Sequence, residues 1–270
     1  MTRFRRISAA LMVAGALGAA APAAASKITI SGATASYPLV TLLAAKYNKV
    51  HPNKVKFKIT QGGAQIGIND AAAGRVTIGD VSRDPLSSDV GLGLVFYPIA
   101  RYGICMITNK ANPVTNLTTA QAIAIFTGKT RSWAGLPGAT QSGTIDLISR
   151  TSVAGVLSNF QTILLGGKSV SSIAAQEASE GLLEQQVQND PNSIGFLSNY
   201  RADKGAVNPV GLNGVGCNLA NAISGQYSGV AHFYEVTRGQ AKGASAQFIA
   251  WIVRSAAARK IISTQWIPNS

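Results

Sequence analysis

The chain has 270 residues, 46% hydrophobic and 13% charged, a globular composition that excludes a disordered or coiled-coil protein. Its net charge of +13 points to anionic partners. Two cysteines are too few for a disulfide scaffold, and two isolated histidines with no Cys pair at ligand spacing exclude a zinc centre.

Residues 1–25 read as a secretory leader. Arg3, Arg5 and Arg6 precede an apolar run from Ile7 to Ala21, and small residues at Ala23 and Ala25 mark a cut after Ala25. The run is shorter than the roughly 20 apolar residues a membrane span needs. No cysteine near the cut offers a lipid attachment point. The mature chain, Ser26 onward with a charge of +10, is therefore expected to be released outside the cytoplasm, periplasmic or extracellular. Export disfavours nucleic acid as the partner.

From Ser26 the chain alternates strand and helix signals. Lys27–Ser31 reads as a strand, and after a turn from Gly32 to Pro38 a helix follows with Leu39, Leu42, Leu43, Tyr47 and Val50 on its apolar face. Val55–Ile59 is a strand whose lysines alternate with apolar residues. The turn Gln61–Ala64 then opens a helix running to about Ala73. Val76–Gly79 is a third strand, ending in the polar turn Asp80–Asp84. The pattern restarts with a strand at Gly103–Thr108. Thr118 and Gln121 form a capping-box signature for the helix of Ile123 and Phe126, which Gly128 closes. Ile145–Ile148 is a strand leading through Ser149–Ser152 into a helix striped with Val156, Leu157, Phe160, Ile163 and Leu164. Leu182, Leu183 and Val187 mark a further helix, Ile194–Leu197 and His232–Thr237 are strands, and Phe248, Ile249, Ile252 and Val253 face inward from a long final helix.

Such alternation predicts an α/β fold with mainly parallel sheets covered by helices. Several strands end in short turns of Gly, Ser, Thr or Ala that open directly into helices. Ligands of open α/β sheets lie at the carboxyl ends of strands. A helix start there offers unpaired N–H groups and partial positive charge, which together hold an anion.

The turns, taken in order, resemble one family. The segments SGATASYPL, TQGGAQIGI, VTIGDVSRDPLSSD, NPVTNLTTAQAIAIFTGKTRSW, LISRTSVAGVLSNF and NDPNSIGFLS are similar in sequence and spacing to the PstS-like phosphate-binding proteins of ABC importers, within the type 2 periplasmic-binding-protein superfamily. The resemblance runs from Lys27 to Pro268. It implies two α/β lobes with a ligand cleft between them and two hinge crossings, near Ile99–Gly103 and Val230–Glu235. One lobe would comprise residues 26–99 and 230–270, the other 100–229. It further implies capture of phosphate or a related oxyanion by a monomer, without cofactor or metal, for a membrane permease.

Residue by residue, the first turn matches at Thr34, Ala35 and Ser36. The second turn reads Gly63 and Ala64 where the family carries serine. The third offers Ser82, with Asp80 and Asp84 beside it. In the fourth, Arg150 and Gly155 are kept, while Ala154 and Val156 replace a serine and a threonine. Two or three side-chain hydroxyls of the family site are thus missing, but backbone donors remain. Trp133, Trp251 and Trp266 are read as packing residues. Cys105 and Cys217 either stay buried thiols or pair; a bridge, which we expect, would be internal to the second lobe.

An enzyme is the main rival class. The chain has no Gly-x-Ser-x-Gly elbow, no Gly-x-x-x-x-Gly-Lys-Ser/Thr loop and only 11 acidic residues, so no catalytic constellation is expected. A secreted anion-binding or wall-polymer-binding adhesion protein on the same scaffold is the alternative non-enzymatic reading.

Overall fold

The computed structural model describes residues 25–52, 54–140 and 142–269. The expected leader, Ala25 apart, lies outside them. The first unit opens with β1 (Ser26–Gly32), α1 (Tyr37–Val50), β2 (Val55–Gln61), α2 (Ala64–Ala72) and β3 (Ile78–Val81). Next comes the long β4 (Leu94–Thr108). The middle of the chain holds β5 (Asn116–Leu117), α3 (Thr119–Phe126), β6 (Asp146–Arg150), α4 (Gly155–Asn159), β7 (Ala175–Glu177), α5 (Glu180–Asn189), β8 (Ser193–Ser198), α6 (Asn199–Ala202), β9 (Asn208–Leu212) and α7 (Leu219–Ile223). The chain ends with β10 (Val230–Arg238), α8 (Gly243–Arg254) and α9 (Ala256–Gln265).

The strands run in the order β2-β1-β3-β10-β4-β8-β6-β7, with β9 on β4 and β5 on β9. Pairs that involve neither β4 nor β10 are parallel, as the strand–helix alternation predicts. Every antiparallel pair includes one of those two strands. Strand β4 pairs with β10 from Leu94 to Gly103, then with β8 from Ile104 to Thr108. One strand therefore runs through both halves of a two-lobed α/β molecule, and β10 returns beside it. The register slips between Phe233 and Tyr234, opposite Ala100 and Pro98. Pro98 has no N–H to give a ladder, so a bulge there is the expected accommodation.

Helix α1 buries Leu39, Val40, Leu43, Ala44 and Tyr47. Tyr47 meets Phe57 and Phe248 edge-on, at 6.1 and 5.2 Å between ring centres. Leu42 and Val50, read as part of the same face, are 47% and 44% exposed and lie on its shoulders. The predicted capping box forms: Thr118 Oγ1 accepts from the Gln121 N–H, and Gln121 Oε1 accepts from the Thr118 N–H. The long final helix is two helices, because Ser255 leaves the helical conformation and caps α9 by accepting from the Ala258 N–H. Val253, expected inside, is 56% exposed in the last turn of α8. Trp133 and Trp266 are fully buried, and Trp251 is half-buried at the Tyr47–Phe248 cluster. Cys105 of β4 and Cys217 before α7 form a disulfide, with Cα atoms 5.5 Å apart.

Candidate functional site

Three turns at the carboxyl ends of β1, β2 and β3 meet the turn after β6. The parallel registers that align Gly32 with Gln61 and with Asp80 bring the first three level. Each of α1, α2 and α4 then begins at this meeting point, and none has a side-chain cap on its first turn. Helix starts leave N–H groups unpaired. Here the N–H groups of Thr34, Ala35, Ser36, Ala64, Gly155 and Val156 have no acceptor among the described residues. The turns meet around a small, tight pocket lined by Ala33, Thr34, Ala35, Gly63, Ala64, Ser82, Arg150, Ala154, Gly155 and Val156. Nine of the ten residues singled out from the sequence line it; Ser36 does not.

Arg150, at the end of β6, is 1% exposed. Its Nε donates to the Glu177 carbonyl at 3.0 Å, and its Nη2 donates to the Ala178 carbonyl at 3.0 Å and to Thr34 Oγ1 at 3.2 Å. Its Nη1 is buried with no acceptor. No carboxylate lies within ion-pair distance of it among the described residues. Burial pulls the guanidinium's pKa below its ordinary value, and the more distant Glu180 opposes that pull; an arginine nonetheless stays charged. Arg83 makes a useful contrast. It is equally buried, but Asp89 neutralises it through two bonds of 2.7 and 3.0 Å. Glu180 is likewise committed elsewhere, accepting from the Ser198 N–H and Oγ–H at 2.8 and 2.7 Å. Arg150 is thus a buried cation with no carboxylate in direct contact among the described residues. Such a group is costly unless something anionic pairs with it.

The other side chains sort into those that face the pocket and those that support it. Ser36, predicted to offer its hydroxyl, donates it instead to Asp80 Oδ1 at 2.5 Å, leaving only its N–H near the pocket. Asp80 is 2% exposed, and its carboxyl pKa is pushed up to about 7 by burial, against the lowering effect of the Ser36 hydroxyl. Asp84 turns away: Tyr234 Oη donates to its Oδ1 at 2.7 Å, and His232 Nδ1 lies 3.1 Å from the same oxygen. Ser82 stays in the pocket because its carbonyl is held by Tyr102 Oη–H at 3.0 Å and Asn159 Nδ2–H at 2.8 Å. Those two residues were missed from the sequence. A polar Asn159 within the apolar Val156–Phe160 stripe was the available signal.

Glycine is required where the two sides touch. A Cβ on Gly155 would stand 2.7 Å from Ser82 Oγ and 2.9 Å from Ala64 Cβ; one on Gly63, whose φ is +107°, would stand 2.8 Å from the Val153 carbonyl oxygen. The Gln65 N–H also donates across the gap to the Val153 carbonyl at 3.0 Å. Two larger grooves, at Ile252–Arg259 and at Arg101–Tyr234, have no buried unpaired donor among their lining residues. What the small pocket offers is one cation, a ring of backbone N–H groups and two hydroxyls. Its lining has no carboxylate, histidine or thiol to act as base or nucleophile. That donor set suits a small tetrahedral oxyanion.

The profile of the PBP superfamily domain matches residues 18–256. The phosphate-binding protein PstS of Bacillus subtilis is 26% identical over 248 residues, covering 91% of this chain and 81% of the relative. A Clostridium perfringens protein assigned to phosphate ABC transport as a substrate-binding protein, solved with bound phosphate, superposes with a TM-score of 0.84 at 30% identity. The match covers 90% of this chain and all of that one. An ABC-type phosphate transport receptor from Vibrio cholerae gives 0.73 at 26% identity, with the same coverages.

Proposed function

The chain belongs to the PBP superfamily, and from that premise we propose that it is an extracytoplasmic solute-binding protein that captures phosphate, or a closely similar oxyanion, for an ABC importer. The observation that carries the reading is the buried guanidinium of Arg150, with no carboxylate in direct contact and its Nη1 without an acceptor, in a pocket ringed by helix starts. Arg150 forms charge-assisted bonds to two anion oxygens. Thr34 and Ser82 contribute hydroxyls, and Ala35, Ser36, Ala64, Gly155 and Val156 contribute backbone N–H groups, while Gly63 and Ala154, whose N–H groups are held by the Gly32 and Thr151 carbonyls, shape the wall. The lobes meet across this pocket, residues 26–99 with 230–270 on one side and 100–229 on the other, and they open about β4 and β10 to release the ligand. The protein works as a monomer, exported by its leader and without catalytic chemistry of its own. Calorimetric titration of protein stripped of bound anion tests this: phosphate should bind at a single site. Absence of heat with phosphate, arsenate and sulfate alike would overturn it.

A further inference from the structure

The charge of the molecule is concentrated away from the pocket. Residues 26–69 and 236–269 contain no acidic residue. Strands β1 and β2 begin, and the antiparallel β10 ends, at the pole of the first lobe opposite the pocket. At that pole lie Lys27 on β1, Lys54 and Lys56 at the start of β2, Lys49 in the last turn of α1, Arg238 at the end of β10, and Lys242 before α8. All six are exposed, and none makes an ion pair among the described residues. Asp70, the nearest acid in sequence, is already matched by Arg75 at 2.7 Å. Helix polarity gives Lys49 a structural reason to be there, and lysine on the edge strand β2 guards against edge pairing. Neither reason accounts for Lys27, which stands directly opposite Lys56 in the β1–β2 register. Like charges placed opposite one another cost stability, so this pair is more comfortable with an anion bound over it.

We propose that this basic pole is a second binding surface, which holds the protein on a linear polyanion carrying repeated phosphate groups. An anionic bilayer fits less well. Large apolar residues exposed near the pole, Val50 at the end of α1 and Val90 and Leu92 just before β4, sit on separate elements, whereas interfacial binding needs one apolar face to insert. A protein lying on a membrane by this pole would also point its pocket away from the permease that the proposed transport role requires. A polymer imposes no such direction, and it leaves the pocket open to free phosphate. This inference assumes the binding reading of the pocket but makes separate contacts.

The test uses the full secreted chain, long-chain polyphosphate as probe, and two quadruple variants of equal charge change. One is Lys27→Gln, Lys54→Gln, Lys56→Gln and Lys242→Gln at the pole; the other is Lys110→Gln, Lys129→Gln, Arg131→Gln and Lys168→Gln on the second lobe. The pole variant should bind polyphosphate at least about tenfold more weakly and show a shallower salt dependence, because each lost contact releases fewer counterions. The second-lobe variant should change little, and excess inorganic phosphate should not compete. Calorimetric phosphate binding by the pole variant should equal that of the parent chain. Equal losses in the two variants, competition by inorganic phosphate, or tighter binding to phosphatidylglycerol vesicles than to polyphosphate would each overturn the proposal. A failed phosphate titration in the parent chain would instead count against the pocket assignment.

Discussion

Replacing Arg150 by methionine separates a ligand-binding cation from a structural one by the sign of its effects. The side chain makes three hydrogen bonds inside the protein, to the carbonyls of Glu177 and Ala178 and to Thr34 Oγ1. Losing them leaves the Ala178 carbonyl without its donor, at about 1–3 kcal/mol, and the Glu177 carbonyl with only the Thr151 N–H. Against this, the substitution removes a buried charge that has no carboxylate partner, whose desolvation costs several kcal/mol. The two effects nearly cancel, so unliganded Arg150→Met should melt within about 5 °C of the parent chain. With phosphate the balance is one-sided. Removing the cation leaves anion charge unpaired in a dry pocket, at roughly 2–5 kcal/mol, or about 30-fold to several thousandfold in affinity. Thermal melts with and without phosphate, together with calorimetry, read both quantities. An unchanged dissociation constant would falsify the assignment of Arg150. So would an unliganded variant that is strongly destabilised while its remaining folded fraction still binds normally, since that is the pattern of a structural arginine.

Gly155→Ala should hold the lobes apart, because its Cβ would strike Ser82 Oγ and Ala64 Cβ. We expect about 1–3 kcal/mol of lost affinity and a larger radius of gyration by small-angle scattering with phosphate present; parent-like scattering and affinity would refute it. The buried carboxyls of Asp80 and Glu235, paired in register between β3 and β10, both have raised pKa values. That of Asp80 reaches about 7 through burial; that of Glu235 rises well above its ordinary range through burial and then the nearby Asp80. Groups that hold protons more tightly when folded stabilise the native state fully below their unfolded pKa, near 4, and lose that contribution as pH rises through about 7. Unliganded stability should therefore fall from about pH 4 to pH 7, by up to about 1.4 kcal/mol per unit for each proton that the folded chain keeps and the unfolded chain has lost. Glu235→Gln should flatten the slope. Asp70 and Asp89, whose pKa values are lowered, titrate below that window. A profile equally steep in the Glu235→Gln chain would discard the explanation.

The pocket was legible because its parts are local. A strand ending in Gly, Ser or Ala and opening into a helix can be read within ten residues, as at Gly32–Leu39 and at Arg150–Phe160. What escaped was set by partners distant in sequence. The direction of the Ser36 hydroxyl depends on Asp80, 44 residues away. The Asn159 and Tyr102 bonds that fix Ser82 reach across 77 and 20 residues. The 15-residue β4 was read only from Gly103 onward, since Pro98 and Arg101 interrupt its apolar pattern. Its antiparallel pairing with β10 has no signature in either strand alone. The break at Ser255 had a visible cap, but the apolar residues before it, Ile252 and Val253, outweighed that signal.

The orientation of the acids also decides what the pocket can discriminate. Phosphate keeps a proton near neutral pH and sulfate does not, so a buried acceptor that welcomes that proton rejects sulfate by repulsion or by being left unpaired. Asp80 and Asp84 were the two residues near the third turn able to serve. Asp80 is occupied by the Ser36 hydroxyl on the far side of that turn, and Asp84 faces Tyr234 and His232. Neither lines the pocket. The acceptors left are the oxygens of Thr34 and Ser82, and Thr34 Oγ1 already accepts from Arg150. A hydroxyl such as that of Ser82 rotates to donate or accept as the ligand demands, so it penalises sulfate weakly. Phosphate should therefore bind with only modest preference over sulfate, and arsenate, which keeps a proton as phosphate does, should bind comparably; Ser82→Asp should sharpen the preference over sulfate alone by adding the missing acceptor. Competition calorimetry with the three anions at pH 6 and pH 8 measures this. Complete rejection of sulfate by the parent chain would mean that a carboxylate swings into the pocket on binding, and that Ser82 does not set the selectivity.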